Sequence, residues 1–334
     1  MNKKNKILII GSSHPSSLET MYYKAFKHLE FENVILKDFN ITSNLSLKRV
    51  LISLSLDKNL YRKNIINFFN NYQNYFDLVI VFKGMELDKE TLFKLKTVSP
   101  SSKWLNIYTD DPFNINSKSS SNKNILDCIS FYDFYCTWSK NIKRKIDKIV
   151  GSKAIYLPFA FDSLVKFKNN FYLDQVNILF YGTYDLTRAE MLKHITNYSV
   201  DIYGNNWKNN KLKNKKNFNI YYKDIYQDEL SAAIFRSKLV LNNTREQVGD
   251  AHNMRTFEIP GYKGLMLTTR THEQNYFFPE DEACLMYSHI DEMLEKIDHA
   301  LSSDQKIKKI RGEGIKIAKE HTYIKRAQFL NSIL

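Results

Sequence analysis

Between Gly249 and Glu258 the chain reads GDAHNMRTFE, which sets Asp250, His252, Asn253, Arg255 and Glu258 within ten positions of one another. Asn253 is a natural cap for a helix starting there, since its side chain can accept a backbone N–H of the first turn. The spacing Asp250-x7-Glu258 then puts one carboxylate on the entry loop and the other about a turn and a half into the helix. Both would face a ligand held at the positive helix terminus. The plainer alternative is structural, with an aspartate favouring the helix start and an Arg255–Glu258 pair at i,i+3. Two further strand ends are polar. YGTYDLTR offers Gly182 and Thr183, with Arg188 a turn into the following helix, a pattern suited to phosphate or to an ordinary turn beside a surface arginine. LNNTREQVGD ends a strand on Asn242 and Asn243 and runs through Arg245 to Gly249, and its asparagines suit a ligand or a turn equally.

Composition narrows the classes. The 334 residues predict two domains, and a 43% hydrophobic content is enough to give each a core. No apolar run reaches the roughly 18 residues of a membrane span. The start, MNKKNKILIIG, lacks the long apolar stretch of a signal peptide, so a cytoplasmic protein is expected. Three scattered cysteines, Cys128, Cys136 and Cys284, read as reduced thiols rather than a disulfide framework or a zinc site. The formal charge of +13 raises nucleic acid as a partner, yet the lysines are spread along the chain amid abundant Asn, Ile, Tyr and Phe. That is the signature of an AT-rich coding sequence and a solvated surface. Of ten arginines, five (Arg188, Arg236, Arg245, Arg255 and Arg270) fall between 188 and 270, so a phosphorylated ligand is expected in the second half.

The elements that must position these residues alternate. KILIIG (6–11), NVILKD (33–38), DLVIVF (77–82), WLNIYT (104–109), FYCTW (134–138) and KAIYLP (153–158) read as strands. Helical patterns fall at 17–30, 46–55, 58–74, 89–98 and 139–149, and NSKSSSNKN (116–124) reads as an exposed loop. The pattern restarts with strands at 176–182, 200–204, 218–222, 238–242, 264–268 and 283–287 and helices at 187–197, 226–236, 253–262, 290–302, 304–320 and 322–333. Strand–helix alternation implies parallel, doubly wound α/β sheets. The expectation is two facing Rossmann-like domains with a cleft between them, 1–165 and 166–321, followed by a helix over 322–334, with the join near LPFAFDSLVKFKNN (157–170).

Several cofactor motifs are missing. Neither GSSHPSS nor YGTYDLTR is GxGxxG, and no P-loop, HExxH or GxSxG occurs. In the first half, Asp110 and Asp111 end the strand WLNIYT and suit orientation or deprotonation of an acceptor hydroxyl, or simply a DDPF turn. His14 follows the first strand and is a second acceptor-side candidate. The basic segment SKNIKRKIDKIV (139–150) carries an apolar stripe, which gives a peripheral contact with an anionic membrane as a further expectation.

YGTYDLTR, DIYGNNW, NNTREQVGD, NMRTFEIPGYKGLMLT and HTYIKRA, in this order along the chain's second half, resemble the CgeB-like glycosyltransferases, which have the GT-B fold. The likeness is best over 175–334 and extends weakly to IYTDDPFN (107–114). It implies a nucleotide-diphosphate sugar as co-substrate, no bound cofactor or metal, and a glycan, lipid-linked or protein acceptor in cell-surface polysaccharide chemistry. Nucleic acid is not expected. By the resemblance Glu258 takes the ribose hydroxyls, Asp250 lies near the donor sugar, Asn253 and Met254 offer backbone amides, and Arg188 binds the diphosphate. Gly182, Thr183, Asn243, Arg245, Gly249, His252 and Arg255 complete the donor side. Asp250 stands where related retaining enzymes carry Glu, and GYKG departs from their small residues, with Lys263 read as surface. The alternatives are a nucleotide-sugar epimerase or hydrolase on the same fold, and a non-catalytic glycan- or nucleic-acid-binding protein.

Overall fold

The computed structural model describes residues 3–40, 57–114, 121–166, 176–209, 211–244, 249–302 and 305–333. The chain divides into two units, Met1–Pro158 with Arg326–Leu334, and Phe159–Lys325. The break falls inside the interval 157–170 where the periodicity is interrupted, and the end of the last helix packs with the first unit.

The first unit is built on β1 (Ile7–Ile10), β2 (Val34–Lys37), β3 (Leu78–Phe82), β4 (Lys103–Tyr108), β5 (Phe134–Thr137) and β6 (Ala154–Tyr156). They form one parallel sheet in the order β2-β1-β3-β4-β5-β6. Runs such as ILII and LVIVF are buried throughout, as a parallel sheet covered on both faces requires. Helices α1 (Leu18–His28), α2 (Asp57–Asn71), α3 (Lys89–Val98), α4 (Lys123–Cys128) and α5 (Lys140–Val150) accompany it. Side chains fix several starts: Ser17 accepts from Thr20 N, Asp88 from Thr91 N and Ser139 from Ile142 N. Residues 122–124, expected as loop, instead start α4, with Asn122 as its cap. The expected helix 46–55 lies outside the described residues, as does most of the 116–124 segment.

The second unit repeats the plan with β7 (Val176–Tyr181), β8 (Val200–Tyr203), β9 (Phe218–Ile220), β10 (Ser237–Asn242), β11 (Met266–Thr269) and β12 (Leu285–Tyr287). Its sheet, also parallel, has the order β12-β11-β10-β7-β8-β9. Counted from β7 this is the 3-2-1-4-5-6 order of a doubly wound sheet, whose order reverses between β7 and β10. Helices α6 (Leu186–Leu192), α7 (Gln227–Arg236), α8 (Arg255–Gly261), α9 (His272–Phe277), α10 (Ile290–Leu301), α11 (Gln305–Ala318) and α12 (Tyr323–Ser332) follow. Its core gathers Phe180, Ile202, Trp207, Leu239, Leu241, Leu267 and Leu285 with Met293 and Ile297 of α10. Among the described residues no helix is long and apolar enough to cross a membrane.

Candidate nucleotide-sugar site

Beside the reversal point of the second sheet two neighbouring strand ends meet. β7 runs into Gly182 and β8 into Gly204, and the two glycines are pressed against each other. A Cβ on Gly204 would lie 2.0 Å from the Gly182 carbonyl oxygen, and both glycines have φ near +150° (151° and 155°). Only glycine allows that approach without strain. Gly182 N donates to Tyr203 O at 2.8 Å, and the Trp207 indole donates to Gly182 O at 2.9 Å. The Gly182 backbone is thus fixed from two sides.

Two guanidinium groups converge on that glycine. A Cβ at Gly182 would stand 2.5 Å from Arg255 Nη2 and 3.3 Å from Arg188 Nη1. Arg188, 4% exposed, is anchored by Nη1 donating to Thr183 O (2.7 Å) and by Nε lying 3.3 Å from Asp185 Oδ2. Asp185 also caps α6 through Arg188 N. Arg255 comes from the first turn of α8, and its Cζ stands 5.2 Å from the centre of the Tyr181 ring. Its Nε is buried without a hydrogen-bond partner among the described residues. Two cations this close repel in a low dielectric, so the arrangement favours an anion between or beside them.

Two other arginines of the 188–270 cluster, Arg236 and Arg270, serve the fold. Arg236 donates to Asp201 Oδ2 (3.1 Å) and the Tyr203 hydroxyl (3.0 Å). Arg270 is gripped by Glu280 and Glu292, with bonds of 2.7 and 2.5 Å from Nη2. Arg245 lies outside the described residues.

Glu258 sits one turn along α8 from Arg255 and is 8% exposed. Its Oε2 accepts from the Tyr181 hydroxyl at 3.1 Å. Burial holds its carboxyl above the usual range, opposed by the charge of Arg255 and the Tyr181 hydrogen bond. Residues at i and i+3 on one helix can pair, yet no Arg255–Glu258 ion pair forms here; Tyr181 stands between their roles, under one and bonded to the other.

Beneath α8 lies a buried polar knot that sequence reasoning missed except at its edges. Gln274 Oε1 receives Asn242 Nδ2 (3.1 Å), Thr256 Oγ1 (3.0 Å) and Thr268 Oγ1 (2.7 Å), while its Nε2 donates to Thr269 O (2.7 Å). Asn253 joins through Asn242 Oδ1 (2.8 Å) and caps α8 by accepting from Thr256 N (3.1 Å), the role its type predicted. The knot ties the ends of β10 and β11 to the helices α8 and α9, so α8 cannot slide relative to the sheet. Asn243 is 7% exposed, and the nearby Tyr287 hydroxyl donates to Met191 Sδ at 3.1 Å. Met254 is half-buried immediately ahead of α8.

His252 is fully buried. Phe159 N donates to its Nε2 (3.2 Å), and Nδ1 lies 2.7 Å from Glu273 Oε2. A backbone N–H can only donate, so Nε2 accepts and the proton sits on Nδ1 toward Glu273. The expected donor contact from this ring is therefore replaced by a bracing role between the chain at Phe159 and α9. Asp250 is exposed; its Oδ1 accepts from His272 N at 2.7 Å. Gly249 is exposed with φ 56°, a turn conformation. Lys263 is on the surface as expected. A cavity of about 470 Å³ lined by Asn205, Asn206, Lys208 and Tyr222 opens beyond Gly204. Asn206 and Tyr222 on its wall both have left-handed backbones, φ 67° and 48°, common enough for an asparagine and unusual for a tyrosine.

The acceptor-side candidates lie in the first unit. Asp110 pairs with Lys83 at 2.9 Å. Asp111 Oδ1 accepts from Phe113 N (2.9 Å), the turn that DDPF predicts, and Oδ2 lies 4.0 Å from Lys145. His14 is exposed, with Nδ1 2.7 Å from Ser16 Oγ. Glu19 was not foreseen there. Its carboxylate fills the space where a Gly11 side chain would be and accepts from Ser12 N at 3.1 Å.

Two parallel six-stranded sheets with flanking helices, the second carrying cations at its reversal point, define an α/β chain of the GT-B type. Residues 187–332 match the model of a family described as Glycosyl transferase-like. Among solved structures, Anabaena Alr3699/HepE in complex with UDP-glucose superposes with a TM-score of 0.68 at 10% identity, over 98% of this chain and 99% of that one. The UDP-GlcNAc 2-epimerase of Neisseria meningitidis bound to UDP-GlcNAc matches with a TM-score of 0.56 at 14% identity, covering 98% and 99%. A chain of the GtfA/B complex matches with a TM-score of 0.54 at 14% identity over 82% of this chain, which spans 60% of that chain's length. No sequence match is found among curated proteins. At these identities the structures share the fold.

Proposed function

We propose that this chain is a glycosyltransferase whose second unit binds a nucleotide-diphosphate sugar. The observation that carries the reading is the convergence of Arg188 and Arg255 on Gly182, with the buried Glu258 one turn from Arg255. The two arginines take the diphosphate by charge-assisted hydrogen bonds. Glu258 accepts hydroxyls of the ribose. Breaking the anomeric bond leaves negative charge on the departing diphosphate, and fixed cations stabilise that charge without reorganising. The same pair makes the transfer independent of a metal ion in this proposal. Asp250, exposed ahead of α8, is assigned to the donor sugar by the resemblance to retaining enzymes, and retention of anomeric configuration rests on that same resemblance.

The acceptor is a glycan, a lipid-linked sugar or a protein, oriented by Asp110 or Asp111 of the first unit with His14 as a further contact. The outward face of α5, where Lys140, Arg144, Lys145 and Lys148 are exposed, is the surface proposed to meet an anionic membrane from the cytoplasmic side.

The test is calorimetry and thermal shift with UDP, GDP, CMP, ADP and dTDP sugars, with EDTA present, on wild type and Glu258→Ala. One nucleotide is expected to bind and to lose its hold in the variant. A folded protein that binds none of them sinks the reading. Donor breakdown that needs no acceptor moves the assignment to an epimerase or hydrolase.

A further inference from the structure

Tyr181 is the last residue of β7, 8% exposed, and it touches both charged residues of α8. Its hydroxyl donates to Glu258 Oε2 at 3.1 Å, and its ring lies under the Arg255 guanidinium at 5.2 Å. Glu258 Oε1 receives no donor among the described residues. Around the Glu258 carboxylate the titratable and charged groups are Arg255 on its own helix, Tyr181 on β7 and Tyr262 just past the helix end. Among the described residues only Tyr181 gives it a hydrogen bond.

We propose that Tyr181 is a positioning residue for donor recognition: its hydroxyl occupies Oε2 and leaves Oε1 for the ligand, while its ring seats Arg255 against Gly182. The inference rests on the donor site described above. A lone carboxylate in this buried place would take up a proton and stop accepting ribose hydroxyls. The Tyr181 donor counters that by stabilising the ionised form. Burial pushes the Tyr181 hydroxyl itself well above its ordinary range, so it stays a donor. The ring offers Arg255 a cation–π contact that needs no competing anion, so the guanidinium is held in position with no carboxylate partner among the described residues.

The experiment uses Tyr181→Phe, which keeps the ring and its packing, and Glu258→Gln to assign the Glu258 carboxyl carbon by NMR. In the free protein, the Glu258 carboxyl is expected to titrate at higher pH in Tyr181→Phe than in wild type; an unmoved midpoint overturns the proposal. With UDP as the probe, affinity at neutral pH is expected to fall about tenfold, the loss typical of one hydrogen bond to a charged group. The gap widens toward acid pH, and Tyr181→Phe has no further effect in a Glu258→Gln background. Equal affinity at every pH overturns the proposal. A wild-type protein indifferent to UDP and to the other nucleoside diphosphates counts against the transferase reading alone, because the free-protein titration still decides the role of Tyr181.

Discussion

Replacing Gly182 by alanine strikes the centre of the proposed anion seat. The new Cβ would lie 2.5 Å from Arg255 Nη2, where ordinary contact begins at 3.4 Å. Arg255 must therefore withdraw by about 1 Å, since atoms at this separation are on the repulsive wall. The colliding atom is the far end of a flexible side chain, so the unit still folds. The strain of φ 151° on a non-glycine residue costs about 1–3 kcal/mol. For a unit of this size that lowers Tm by about 2–10 °C. Binding suffers more. Displacing one of two guanidinium groups removes about 1.5–3 kcal/mol of charge-assisted contact, a loss of about tenfold to a hundredfold in UDP affinity. Gly204→Ala is the counterpart: its Cβ meets the Gly182 carbonyl oxygen at 2.0 Å and carbon at 2.6 Å, and backbone cannot step aside. It is expected to cost about 4 kcal/mol or more and to lower Tm beyond the Gly182 variant. Differential scanning calorimetry and titration calorimetry with UDP read both effects. Wild-type UDP affinity in Gly182→Ala would refute the seat, and a Gly204 variant no less stable than the Gly182 one would refute the backbone apposition.

Other outcomes follow from the same geometry. Gln274→Ala strips the buried knot of the acceptor shared by Asn242, Thr256 and Thr268, and is expected to cost about 2–3 kcal/mol in urea unfolding; a change within error would show that the knot repacks freely. Arg270 holds the Glu292 carboxyl down to about 2. A depressed folded value contributes stability above the unfolded carboxylate range, about 4.3, and that stability is lost as pH falls toward 2. Arg270→Met should therefore lower Tm at neutral pH and flatten its decline in acid, and parallel curves for the two proteins would contradict this. Asp250→Asn keeps the Oδ1 acceptor for His272 N while removing the charge; turnover is expected to fall at least tenfold with UDP affinity held within about twofold, a transition-state rather than a binding loss, and unchanged turnover would remove Asp250 from the chemistry.

The strands were readable because parallel strands buried on both faces are continuous apolar runs, and ILII, LVIVF and the other runs are short and bounded by turn residues as such strands are. The helices that escaped notice, α4 and α9, have six residues each, too few for a 3.6-residue period to show. The same contrast runs through the site. Arg188 and Glu258 could be singled out because their neighbours in sequence are turns and caps that announce a strand end. Tyr181 could not, since a tyrosine closing the apolar run VNILFY reads as core, and its partner Glu258 is 77 residues away. Gln274 was hidden for the same reason, 32 residues from the Asn242 it satisfies. His252 misled in the opposite direction: beside Asp250 and Asn253 it looks like a ligand contact, and only the fold brings Phe159 and Glu273 to its two nitrogens. Local sequence reports where a backbone turns and which charges stand there. Which of those charges remains available to a ligand depends on partners supplied from distant strands and helices; among the described residues Arg255 has the Tyr181 ring beneath it and no carboxylate partner.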